Sequence, residues 1–158
     1  MRRRYMLVAI STLAASTAAR SGAYGFGSFE NDDALDWQQE CVRAQGAKSV
    51  AEALNGALSL WARMYLQAPE ASRAIAAAEV VAAFNGSPSP ELPEPLQAWI
   101  KQQPKEPFLT LRPLARKAVT RIAKESRSEL RSLWSEGDGE FYSKWQKVMD
   151  GLLRRLVQ

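Results

Sequence analysis

Four carboxylates crowd the first amphipathic stretch of the chain, at Asp32, Asp33, Asp36 and Glu40. At helical spacing they fall within one arc about 100° wide. Leu35, Trp37, Cys41 and Val42 are expected on the opposite side, with Trp37 at the seam between the two. Asp32, Asp36 and Glu40 stand at i, i+4 and i+8, a line of like charges that costs a helix roughly a few tenths of a kcal/mol per pair. Such a line has three uses. Acids in a first turn complement the helix dipole, a segregated acidic face steers a basic partner, and clustered carboxylates can hold a hard cation. No loop with EF-hand spacing accompanies them, so no metal ligand is assigned. Asp36, Trp37 and Glu40 are the residues expected to contact a partner. Asn31 or Asp32 is expected to cap the helix.

The remaining chemistry is limited by what is missing. The chain contains no histidine, which removes histidine-based nucleophile activation, general-base catalysis and metal ligation. Cys41 is the only cysteine. An intrachain disulfide and a zinc site of cysteine spacing are therefore ruled out, and the thiol reads as a small buried hydrophobe. No catalytic residue and no cofactor are assigned. Gly22, Gly25 and Gly27 superficially match a phosphate-cradling loop, but the order is G-x-x-G-x-G and no strand precedes it. The dinucleotide fingerprint requires both, so the glycines read as turn formers that let Tyr24, Phe26 and Phe29 pack.

Arg112, Arg116, Lys117, Arg121, Lys124, Arg127 and Arg131 would form one basic half-face of a continuous helix. No aromatic residue is interleaved among them, as base stacking would require, and nucleic acid is not an expected partner. Glu79 is the only charge between Ala74 and Phe84, where the expected third helix is apolar nearly all round. It is expected to be buried with a cationic partner or a set of backbone hydrogen bonds, the first choice of partner being an arginine of the 112–131 stretch.

Those groups must be held by helices, since no strand-type alternation occurs anywhere. The expected fold is all-α, a single-domain bundle of about five to seven helices around a central apolar helix at 69–84, occupying residues 22–158. Ser49-Val-Ala-Glu52 resembles a capping box opening a second helix, which would bury Val50, Leu54, Leu58 and Trp61 on one face. Pro69 suits a first turn, and Asn85-Gly86 a stop. Ser87 to Pro95 is a proline-rich link. A long stretch from about Arg112, with a break near 126–128, leads to a last helix at about Glu140 to Val157.

Residues 1–21 read as an export signal. Arg2, Arg3 and Arg4 precede an uncharged run from Tyr5 to Ala19, too short and too rich in small residues for a stable membrane span. Cleavage after Ala19 removes those three arginines and leaves 18 basic residues against 17 acidic ones. A net charge of +1 gives no electrostatic case for nucleic acid. The expected location is periplasmic or secreted, or cytoplasmic if the start codon is mis-assigned.

Gly22-Ala-Tyr-Gly-Phe-Gly-Ser-Phe-Glu-Asn-Asp-Asp-Ala-Leu-Asp-Trp37 resembles the opening of a bacterial family, domain of unknown function 4259, whose members read G-A-[W/Y/F]-G-x-G-x-F-[E/D]-N-D-x-A-x-D-W. The resemblance continues through Ala78–Ala83 and through the S-E-L-x-x-L-W pattern at 128–134. It implies a fold and no catalytic residues. The departure is the extension before Gly22, since many members begin at that glycine. The function expected on these grounds is non-enzymatic binding of another protein, as an interaction or immunity-like protein of the bacterial envelope. The alternative is a carboxylate-based hydrolase, in one form metal-assisted, drawing on Asp32, Asp33, Asp36 or Glu79.

Overall fold

The computed structural model describes residues 25–157; the export-type segment 1–21 lies outside them. The chain runs through α1 (Asp32–Arg43), α2 (Lys48–Gly56), α3 (Leu60–Met64), α4 (Ala68–Phe84), α5 (Glu94–Ile100), α6 (Glu106–Leu109), α7 (Arg112–Lys124), α8 (Glu129–Ser135) and α9 (Gly139–Arg155). No strand occurs among the described residues; a single parallel bridge links Leu66 to Ser128. The fold is all-helical. The short α3 and α6, of five and four residues, are elements that the expected five to seven helices did not separate.

Local chemistry sets most boundaries. Asn31 caps α1, its Oδ1 accepting from the Ala34 N–H at 2.9 Å. The buried stripe of α1 is Ala34, Trp37, Gln38 and Cys41, a regular i, i+3, i+4, i+7 set. Leu35 was expected on that face and is instead exposed, because it lies 100° from Ala34 and 200° from Trp37. The capping-box expectation at Ser49 fails. Ala47 starts α2 with its backbone already near a helical turn (φ −85°, ψ 0°) and no side-chain cap, so Ser49 falls inside the helix.

The expected burial of Trp61 is overturned for a related reason. Helix α2 ends at Gly56, and Ser59 starts a new helix by accepting from the Ala62 N–H at 3.2 Å. That restart shifts the phase. Ala62 and Leu66 now face inward, and Trp61 stands 82% exposed.

Helix α4 is apolar on almost every side, with twelve of its seventeen residues buried. It packs against α1, α2 and α5 through α9. Its alanines at 74, 76, 77, 78 and 82 are all solvent-inaccessible, and their small side chains let neighbouring backbones approach. Phe84, at its far end, stacks on Phe108 with centroids 3.8 Å apart, and Trp99 meets both rings edge-on. The Trp99 indole N–H donates to the Ala44 carbonyl at 3.0 Å, closing the end of α1. Among the described residues no helix is long and apolar enough to cross a membrane.

Candidate functional site

The glycine-rich opening is explained by packing. The Gly27 N–H donates to Glu30 Oε2 at 2.7 Å, and the Glu30 N–H donates back to the Gly27 carbonyl at 3.2 Å. A Cβ on Gly25 would collide with that carboxylate, and one on Gly27 would lie 2.9 Å from it. Only glycine leaves room for the returning side chain at both positions. Phe26 then rests against Trp134 and Phe141, at centroid distances of 5.3 and 5.5 Å. Phe29 is buried in the core.

Ser28 ties this opening to the interior. Its hydroxyl donates to Glu79 Oε1 at 2.7 Å. Glu79, 1% exposed on α4, also accepts from both terminal nitrogens of Arg155, Nη1 to Oε2 at 2.6 Å and Nη2 to Oε1 at 2.8 Å. Burial and pairing of Glu79 agree with expectation; the partner does not. It comes from the last turn of α9, which ends where α4 buries Glu79, whereas Arg112 and Arg121 of α7 are engaged elsewhere. Arg121 is buried, donating to the Ala62 carbonyl and to Glu125. Arg112 donates to Asn85 Oδ1 at 2.9 Å, and Lys124 pairs with Asp150 at 3.1 Å. The basic stretch is therefore interrupted by a core arginine and broken after Lys124. None of these pairings reaches α1.

The acidic side of α1 borders an open groove. Trp37 and Glu40 line it with Ser49, Glu52, Ala53 and Gly56 of α2 and Glu70 and Arg73 of α4, around a volume of about 270 Å³. Three carboxylates and one guanidinium give its rim a net negative charge. Of the three residues expected to contact a partner, the groove unites Trp37 and Glu40. Asp36 lies one residue before, exposed and outside the lining. Asp36 and Glu40 enter no ion pair among the described residues, and Glu52 has only a 3.7 Å contact with Lys48, both side chains well exposed. Trp37 was expected at the seam of the acidic and apolar arcs and is instead buried. It is 4% exposed and serves as a wall, since i+3 from Ala34 places it in the stripe and not at its seam.

Sequence reasoning missed Ser49, Glu52, Glu70 and Arg73 as groove residues. No local signal singled them out: Glu52, Glu70 and Arg73 are exposed polar positions like many others on two helices that flank α1. No group of three His, Cys, Asp or Glu side chains among the described residues is close enough to hold a metal ion. Cys41 is fully buried in the core, and burial pushes its thiol up to about 12.

A family model described as "Domain of unknown function (DUF4259)" matches residues 22–148. No curated protein and no solved structure matches the chain.

Proposed function

We infer, for a chain that belongs to the DUF4259 family, that it acts by binding another protein through the groove between α1, α2 and α4. The observation that carries this reading is the pair Asp36 and Glu40, exposed and without ion-pair partners among the described residues beside an acidic groove walled by Trp37. Like charges held on one face without internal compensation destabilise the isolated helix. They gain favourable interaction only from a cationic surface brought from outside. A basic segment presenting Lys or Arg to Glu40, Glu52 and Glu70 fits that surface. Arg73 at the same groove disfavours a purely cationic ligand and selects one that also carries an acceptor.

The proposed setting is the bacterial envelope, on the pattern of residues 1–21. The alternative, a carboxylate-based hydrolase, would draw on the same acidic residues, and a divalent-cation thermal-shift screen separates the two: a large shift favours the hydrolase.

The direct test places a photocrosslinking residue at Glu40 and, as a control, at Lys117 on α7, in the native host. One crosslinked species specific to position 40 is expected, and it should vanish in an Asp36→Lys, Glu52→Lys background. That double reversal sits on exposed positions and should change stability by no more than about 0.5 kcal/mol. An adduct that survives charge reversal would overturn the reading.

A further inference from the structure

We propose that the exposed face of α3 docks the protein onto an anionic lipid surface. Leu60, Trp61, Met64 and Tyr65 are 76%, 82%, 69% and 51% exposed. Leu60, Trp61 and Met64 stand at i, i+1 and i+4 on one side of α3, and Tyr65 follows as its extended C-cap. Ala62 and Leu66 hold the other side in the core. The element is fixed where it lies. The Leu66 N–H donates to the Arg127 carbonyl at 2.8 Å, the Glu129 N–H donates to the Leu66 carbonyl at 2.9 Å, and Arg121 donates to the Ala62 carbonyl. The patch is thus presented by a braced turn.

Its charge is one-sided. Between Ala53 and Pro69 the sequence has no acidic residue, and Arg63 is the only charge. Arg63 is exposed, as is Arg127, whose backbone adjoins Leu66, and neither enters an ion pair among the described residues. The acids beside Arg127 are committed, Glu125 to Arg121 at 2.6 Å and Glu129 to the Ala68 N–H at 2.7 Å; Glu52 and Glu70 lie on the groove of α1, α2 and α4. Indole, phenol and thioether flanked by arginine are the groups that settle at a headgroup boundary, where apolar area and attraction to anionic lipid add. A second copy of the chain is the poorer occupant. Four side chains on one short turn cover far less than the roughly 800 Å² per partner of a standard stable interface.

The test uses the full chain with phosphatidylcholine vesicles, with and without phosphatidylglycerol, reading co-sedimentation and quenching of tryptophan by brominated acyl chains. Wild type should bind the anionic vesicles and be quenched. Trp61→Ser, Met64→Ser should partition at least about tenfold less, the scale set by removing two interfacial anchors, with an unchanged melting temperature. Arg63→Glu should weaken binding to anionic vesicles and leave the neutral ones unaffected. Equal binding by wild type and the double variant would place membrane affinity elsewhere in the chain and overturn the proposal, as would no binding by wild type. Self-association lost in the double variant, without vesicle binding, would identify a second copy as the occupant instead.

Discussion

Glu79 is the residue whose removal should be felt most. Its carboxylate accepts from Ser28 and from both ends of the Arg155 guanidinium inside the core. Glu79→Ala would leave a guanidinium facing an apolar gap, and breaking a buried pair from one side costs about 3–5 kcal/mol. Denaturant melts should show that loss for Glu79→Ala and a similar one for Arg155→Ala. Glu79→Leu with Arg155→Met should recover much of it, because neither charge is then left buried. An unchanged midpoint in Glu79→Ala would refute the assignment. Cys41 makes a second prediction at this scale. Burial pushes its thiol up to about 12 in the folded state, from an ordinary value near 9.0. A raised value means the native state keeps the proton that the unfolded state sheds. The corresponding stability is whole below about pH 9 and is lost progressively towards pH 12. Native protein at pH 8 should therefore resist thiol reagents until it is unfolded by denaturant. Cys41→Ala should show a shallower fall in stability between pH 9 and 11 than wild type.

At the scale of elements, the opening loop and α1 behave as one unit, because Glu30 folds back over Gly25 and Gly27 just before the Asn31 cap. Gly25→Ala would push the Glu30 carboxylate off the Gly27 N–H. That carboxylate is the mobile end of an exposed side chain, so the cost is the lost hydrogen bond, about 0.5–1.5 kcal/mol, and not a backbone clash. The check is a double-mutant cycle measured by thermal melts. On a Glu30→Ala background the same substitution should cost almost nothing, and full additivity would disprove the coupling.

The elements also show what sequence could and could not deliver. The Asn31 cap, the proline start and Asn85-Gly86 stop of α4, and the break near Ser128 are local signals, and each is where spacing put it. Trp61 was misplaced because Ser59 restarts the helix and resets its phase, and a pattern continued across Gly56 cannot register that. Arg155 was unreadable for a different reason. It meets Glu79 across 76 positions of sequence, and several arginines satisfied the same local criterion. The groove was half legible. Trp37 and Glu40 could be nominated from α1 alone, whereas Glu52, Glu70 and Arg73 join them only once α2 and α4 are laid alongside.

For the whole molecule, the proposed compartment turns on the N-terminus. The uncharged run from Tyr5 to Ala19 behind three arginines predicts a mature chain that begins near Arg20. Intact-mass measurement on protein from the native host decides it, and a full-length chain with Met1 in the soluble cytosol would reject export. Export would also bring the α3 face to a bilayer surface and the acidic groove to envelope partners, so both proposals gain or lose relevance with that mass.

The carboxylate shared by Ser28 and Arg155 has a bearing on how the chain is made. Synthesis proceeds from the N-terminus, so Glu79 leaves the ribosome long before its counter-ion, 76 residues later. During that interval the most apolar helix carries an uncompensated charge, which disfavours burial of its Glu79 face. Ser28 docks on the same oxygen as Arg155 Nη2, so the glycine loop and the last turn of α9 share one anchor. The Glu79 cluster is thus complete only once the last turn of α9 has emerged. A nascent chain that stays open until then is one an export machinery that handles unfolded polypeptides can still engage.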